Sequence, residues 1–464
     1  MDELRVLLVT FPGQGHINPS LQFAKLLAGM GLKVTFVTAS SAISRMARAA
    51  TSPPPSLTFA GFSVEGFNTG VDIDDYMVEL RRRASDAVEE MITSAAAKGQ
   101  PFVHVVYTIL LPSVGKIARN HNISSTFLWV QPASLFGFYY HYLNGYGDAI
   151  RENGNDPSWF IDLPRLPRLH SRDLPSFVQA SNTYSFAIPS VQKHLEVLAE
   201  EKNPRILFNT FDALETEALR ITKSINLVAV GPLIPSAFLD GKDPSDTSFG
   251  GDLFQESEDH YIEWLNSKPN ESVVYVSFGS LSVLSDQQTE EIARGLLESR
   301  RPFLWVLRRS ENGEKQEDKL TRKKELEELG MIVPWCSQLK VLQHPSVGCF
   351  VSHCGWNSTF ESLVSGVPVV GFPQWSDQTM NAKLVEDAWK TGIRLTENED
   401  GIVDGDEIKR CVELVMGKGG KGEELRRNAK KWKDLAIEAA GDHGSSTANL
   451  KAFIDEIKFG AVPS

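Results

Sequence analysis

The sequence predicts two α/β domains, each a doubly wound parallel sheet with helices on both faces. Three observations point there. From Arg5 to Thr38 the chain runs strand, glycine-rich turn, helix, strand, the order that builds a parallel sheet. A proline- and glycine-rich stretch, Val230–Asp252, interrupts this alternation, which then restarts at Ser272. At 464 residues the chain also exceeds what one hydrophobic core usually supports.

In the first half, Arg5–Phe11 is an apolar strand, Pro12–His16 the glycine-rich turn, and Asn18–Ala28 a helix with apolar residues at helical spacing. Lys33–Thr38 and Leu57–Phe62 are strands, Gly66–Asp72 a polar loop, and Asp75–Ala97 a helix. Val103–Leu111 and Ser124–Val130 are buried strands, and Arg205–Asn209 reads as the last strand of this half. Gln131–Tyr146 concentrates aromatic rings. Most of them fit a helix packed on the sheet, and one or two could line a pocket for a planar ligand. Asn153–Pro175 is proline-rich and irregular. In the second half, Ser272–Phe278, Phe303–Leu307, Met331–Pro334, Val347–Val351 and Pro368–Phe372 are strands, with helices near Gln287–Glu298, Thr379–Trp389 and Asp404–Val415 and two more after Gly419. The mixed-charge run Glu311–Glu328 reads as a solvated loop and helix.

Hydrophobic content of 42% and charged content of 23% are those of a globular protein. A net charge of −12 argues against nucleic acid or an anionic membrane as partner. Four cysteines without CxxC spacing make neither a disulfide framework nor a zinc site. The start of the chain is a poor signal peptide, and no apolar run has membrane-spanning length, so a reducing cytoplasm fits best.

Chemistry concentrates between Trp335 and Gln378. Val347–Val351 ends at His353, Gly355 allows a tight turn, and Asn357 and Ser358 open a helix with Glu361 in its first turn. A helix start at the carboxyl end of a parallel strand suits a phosphate. This stretch resembles the signature box of plant UDP-glycosyltransferases. The resemblance extends over essentially the whole chain, through FPGQGHINP, LPRLPRLHSRDLPSF, NTFDALETEAL and WLNSKPNESVVYVSFGS. It is strongest to the subgroup that includes anthocyanin 5-O-, flavonoid and carboxylic-acid glucosyltransferases.

The resemblance implies two facing Rossmann-like domains of the GT-B glycosyltransferase type. Residues 1–235 would bind the acceptor, 236–252 would link, 253–440 would bind the UDP-sugar, and 441–464 would return as a helix to the first domain. Trp335 would stack on uracil, while Gln338 and Glu361 would hold the ribose. His353, Asn357, Ser358 and Ser280 would hold the diphosphate, and Trp356, Asp377 and Gln378 would face the sugar. A Gln at position 378 accompanies glucose in this family, so the donor would be UDP-glucose, with no cofactor besides this co-substrate. His16 would be the general base, taking the acceptor proton as the anomeric carbon inverts. Gly15, Ser113, Phe138, Tyr140 and Trp375 would border the acceptor. Asp72-Ile73-Asp74 and Asp404-Gly405-Asp406 resemble metal-binding DxD pairs, but both precede helices and read as caps, so no metal is expected.

One departure bears on the base. Many relatives carry an Asp that orients the His, in a strand reading roughly VYDSFLPW. Here Thr108 takes the place of that Asp and Ser113 the place of the Trp. A hydroxyl can hold an imidazole tautomer but stabilises the imidazolium less than a carboxylate does. The expected activity is therefore an inverting O-glucosylation of phenolic small molecules such as flavonoids, carried out by a monomer. C-glucosylation of phloroglucinol-type rings, glucose-ester formation on carboxylic acids, and a non-catalytic nucleotide-sugar-binding role are the alternatives.

Overall fold

A computed structural model describes residues 3–49, 54–64, 72–249, 260–308 and 316–460. Most of the expected loop at Gly66–Asp72, residues 250–252 of the expected linker and 311–315 of the charged run lie outside them. The chain forms two compact units, Met1–Leu253 with Glu438–Ser464, and Phe254–Ile437.

The first unit holds strands β1 (Arg5–Val9), β2 (Lys33–Ala39), β3 (Leu57–Phe62), β4 (Phe102–Thr108), β5 (Ser124–Trp129), a short antiparallel pair β6 (Phe160–Ile161) and β7 (Leu169–His170), then β8 (Arg205–Phe208) and β9 (Asn226–Ala229). Seven of them form a parallel sheet in the order β3-β2-β1-β4-β5-β8-β9. Its helices are α1 (Gln14–Gly29), α2 (Ser40–Ala49), α3 (Ile73–Ala97), α4 (Pro112–Asn120), α5 (Ala133–His141), α6 (Gly147–Asn153) and α7 (Ala187–Ala199). The chain leaves β1 toward β2 and β3, then returns to β4 on the other side. The strand order therefore reverses between β1 and β4, and a ligand crevice opens beyond their carboxyl ends.

The second unit repeats the plan. Helix α8 (His260–Asn266) leads into β10 (Val273–Ser277), α9 (Asp286–Ser299), β11 (Phe303–Val306), α10 (Lys323–Leu329), β12 (Met331–Val333), α11 (Gln338–Leu342), β13 (Val347–Ser352), α12 (Trp356–Ser365), β14 (Val369–Gly371), α13 (Gln378–Lys383), β15 (Gly392–Arg394) and α14 (Gly405–Met416). The parallel order β12-β11-β10-β13-β14-β15 reverses between β10 and β13. Alternation along β10 feeds both faces. Val274 and Val276 join one apolar core, Val273 and Tyr275 the other.

The chain ends in α15 (Gly420–Ala440) and α16 (Ser445–Gly460). Leu450, Phe453, Ile454 and Ile457 of α16 complete the core of the first unit, and Asn449 donates to the Ala229 carbonyl at 2.9 Å. The stretch expected to be a linker is fastened down over its described part. Asp246 accepts from Lys25 at 2.7 Å, from Gln22 at 3.0 Å and from the Ser236 amide at 2.9 Å.

Several elements differ from the sequence reading. Helix α1 begins at Gln14, not after the glycine-rich turn, because its first-turn N–H groups need no intrahelical acceptor and Gly15 is tolerated there. Strand β9 continues the sheet beyond β8, where the sequence reading stopped; it is only four residues long and only Ala229 of it is buried. Helix α12 starts at Trp356 on an N-cap Gly355, one residue before Asn357.

Candidate active site

Both strand-order reversals carry the expected side chains. In the first unit, Gly13 caps α1 and places His16 in the first turn beyond β1. The imidazole is half-buried and packs edge-on to Phe11 at 5.1 Å. Burial pushes its pKa down to about 4, so it is neutral at neutral pH and able to accept a proton. Its Nδ1 atom is enclosed and, among the described residues, makes no hydrogen bond.

Thr108, expected as the partner of His16, is engaged elsewhere. Its hydroxyl donates to Thr10 Oγ1 at 3.1 Å, and Thr10 in turn meets Ser20 Oγ at 3.1 Å. Thr10, at the end of β1, supplies the acceptor that a fully enclosed hydroxyl requires. Thr108 therefore belongs to a buried hydroxyl chain, and the structure gives it no bond to the imidazole.

The residues expected around the acceptor separate into two groups. Phe138 is wholly enclosed and edge-on to Tyr139; α5 is buried along almost its whole length and forms core. Gly15 is exposed, while Ser113, Tyr140 and Trp375 are half-buried. Ser113 accepts from Ser85 of α3 at 2.8 Å, and the Tyr140 hydroxyl donates to Thr222 at 3.3 Å. Glu215, in NTFDALETEAL, holds the start of α5 by accepting from the Ala133 and Ser134 amides at 2.8 Å each. Its wholly enclosed carboxyl has its pKa raised by burial.

In the second unit, His353 lies beyond β13 and is neutral at neutral pH. Burial lowers its pKa to about 4, opposed by the Ser277 backbone and reinforced by the charge of Arg308. Two glycines make room for the ring. A Cβ on Gly279, whose φ is +73°, would stand 2.6 Å from His353 Nε2, and one on Gly355 would stand 2.5 Å from it. Neighbouring Cys354 turns the chain at φ +60°, delivering Gly355 to the start of α12.

Beside this turn lies a hydrogen-bonded cluster. Gln338 Nε2 donates to Ser358 Oγ at 2.8 Å and to Glu361 Oε2 at 2.6 Å, while its Oε1 accepts from the Tyr275 hydroxyl at 3.3 Å. Tyr275 is enclosed on β10, stacked on Phe350 at 4.9 Å, and is a site residue that the sequence reading missed. Strand alternation places it on the face shared with Phe350, but not against a glutamine 63 residues away. A phenol facing Oε1 leaves the amide nitrogen for the carboxylate, so Tyr275 fixes which way Gln338 points. Tyr275→Phe should raise KM for UDP-glucose about fivefold, the effect of one hydrogen bond worth about 1 kcal/mol, with kcat nearly unchanged. Initial-rate kinetics check this, and an equal loss in kcat would remove the orienting role.

The remaining residues expected at the donor differ in their settings. Trp335 and Asn357 are half-buried at the cluster's edge. Trp356 is not: its ring stacks on Phe360 at 4.9 Å and meets Trp389 at 6.0 Å, so its side chain belongs to the core. Asp377 is buried, its pKa raised by that burial, and accepts from Asn381 at 2.8 Å. Gln378 Oε1 accepts from the Gln374 and Trp375 amides at 2.8 and 3.0 Å and thereby shapes their loop. Ser280 follows Gly279 at the end of β10, half-buried.

Of the two expected caps, Asp72 accepts from the Asp74 and Asp75 amides at the start of α3. Asp404 instead accepts from Asn398 at 3.0 Å, although it holds the N-cap position of α14. Among the described residues no group of three or more His, Cys, Asp or Glu could hold a metal ion. No described helix is long and apolar enough to cross a membrane.

Known proteins share this arrangement. The family model for UDP-glucoronosyl and UDP-glucosyl transferase matches residues 248–416. Crocetin glucosyltransferase, chloroplastic, from Gardenia jasminoides is 57% identical over 98% of this chain and 98% of its own. Phloretin 4'-O-glucosyltransferase from Malus domestica is 57% identical over 99% and 98%. Among solved structures, Os79 from O. sativa in complex with UDP has a TM-score of 0.85 at 33% identity, covering 97% of this chain and 100% of its own. The two doubly wound sheets are those of a GT-B glycosyltransferase, and the chain belongs to the plant UDP-glycosyltransferase family, as a glucosyltransferase.

Proposed function

We propose that the chain transfers glucose from UDP-glucose to a hydroxyl of phenolic small molecules such as flavonoids, inverting the anomeric carbon to a β-glycoside. The observation that carries this reading is the donor cluster at the β10/β13 crevice, where Gln338, Ser358 and Glu361 are bonded together next to His353. Trp335 stacks on uracil, and Gln338 with Glu361 holds the ribose. Ser280, His353, Asn357, Ser358 and the positive end of α12 hold the diphosphate. Asp377 and Gln378 turn to the sugar. His16 takes the proton from the acceptor hydroxyl as it attacks, and UDP departs with its charge held at the helix start. A relative named for 4'-O-glucosylation of phloretin supports O-transfer.

A second reading, glucose-ester formation on carboxylic acids, is favoured by the lack of a carboxylate partner for His16, because an ionised acceptor needs no strong base. The test offers UDP-glucose with a flavonoid, a phloroglucinol ketone and a phenolic acid, and identifies products by mass spectrometry. An acid-labile, alkali-stable flavonoid glucoside is expected. An alkali-labile product would favour the ester, and an acid-resistant one a C-glucoside.

A further inference from the structure

We propose that Arg308 is a positioning residue of the donor site: it fixes the loop that carries Ser280 and supplies the positive charge that faces the diphosphate. The inference rests on the donor reading above. Strand β11 runs parallel to β10, with Val274 opposite Phe303 and Val276 opposite Trp305, so Arg308, just past β11, lies alongside the loop that leaves β10. Its Nη1 donates to the Ser280 carbonyl, and its Nη2 donates to the Ser282 carbonyl at 2.5 Å.

These bonds matter because the loop has little else to hold it. Leu281, between the two gripped carbonyls, is 58% exposed, and Val283 is 89% exposed, so neither anchors the loop by burial. The Ser282 hydroxyl oxygen is enclosed and, among the described residues, without a partner. Gly279, which begins the loop, lies against His353. Moving the loop therefore moves both Ser280 and one wall of the imidazole.

Charge points the same way. Among the described residues no carboxylate pairs with Arg308, and both bonds go to neutral carbonyls. Burial lowers the guanidinium pKa, the sign of a cation held partly out of water without a counter-charge. Its field also reaches His353, whose protonation it opposes. A neutral His353 and a helix end bring no full positive charge to a diphosphate, whereas Arg308 does. Among the described residues the guanidinium has no counter-ion, and a bound diphosphate would supply one.

The experiment measures inhibition constants of UDP and of uridine against UDP-glucose for the wild type, Arg308→Gln and Arg308→Lys, at two salt concentrations. Arg308→Gln should weaken UDP about tenfold, leave uridine within twofold, and flatten the salt dependence of UDP binding. Arg308→Lys keeps the charge but not the two-pronged grip, and should weaken UDP about threefold with the salt dependence retained. Equal weakening of UDP and uridine, or no weakening of either, would overturn the proposal. If Arg308→Gln does not fold, Arg308→Lys carries the test on the same UDP-to-uridine contrast. A wild type that fails to bind UDP would instead sink the donor reading itself.

Discussion

His16→Ala lowers glucosyl transfer by roughly 10²- to 10⁴-fold while UDP binds as before. The expectation follows from where the helix begins. Because α1 starts at Gln14, His16 is fixed in a first turn at the β1/β4 crevice and not carried on a loose loop. The ring is half-buried, so an acceptor hydroxyl can reach it, yet it is desolvated enough that its pKa falls to about 4. The sign of the pH dependence follows directly. A base with a depressed pKa is already deprotonated at neutral pH, so kcat/KM should stay level through neutrality and fall only as pH drops toward about 4. That low value also makes His16 a weak base, which is tolerable for acceptors that ionise readily. Product quantification with calorimetry of UDP checks the pair of outcomes. Transfer within fivefold of the wild type would remove His16 from the chemistry, and lost UDP binding would move its role to the donor.

The donor half was more legible in the sequence than the acceptor half, and the reason is geometric. From Trp335 to Gln378 the chain runs directly through α11, β13, α12 and β14, so its polar residues converge by local connectivity. What escaped was the support from further away. Tyr275 reaches Gln338 from β10, and Arg308 grips Ser280 and Ser282 from beyond β11. Hydrogen bonds between neighbouring strands leave no periodic trace in sequence. Trp356 and Phe138 show the converse error. Phe138 was expected to face a ligand from its aromatic-rich stretch and Trp356 from the family resemblance, but both side chains are buried. Thr108 was placed correctly at the end of β4, yet its bond goes to Thr10, which only the pairing of β1 with β4 brings within reach. The acceptor side is assembled from separate loops and helices, and its composition alone could not say which rings face outward.

Gly355→Ala should weaken UDP binding about ten- to a hundredfold with little change in thermal stability. Gly355 has φ −59° and ψ 146°, a conformation open to any residue, so the added methyl brings no backbone strain. Its three nearest neighbours are all atoms of the His353 ring, at 2.5, 3.2 and 3.3 Å. The clash is therefore relieved by rotating one side chain, not by moving the strand or α12. On the proposed donor reading, that rotation carries Nε2 away from the diphosphate and costs a hydrogen bond to a charged group, about 1.5–3 kcal/mol. Gly279→Ala would displace the same ring but also force a left-handed φ of +73° on a residue with a Cβ, adding about 1–2 kcal/mol of instability. The two substitutions thus separate an effect on the site from an effect on the fold. A double-mutant cycle completes the test, because Gly355→Ala acts only through the imidazole. In a His353→Ala background it should do nothing further to UDP affinity. A full additional loss in that background would mean that Gly355 serves the donor through its own backbone, and that the glycine-lined slot around His353 is incidental.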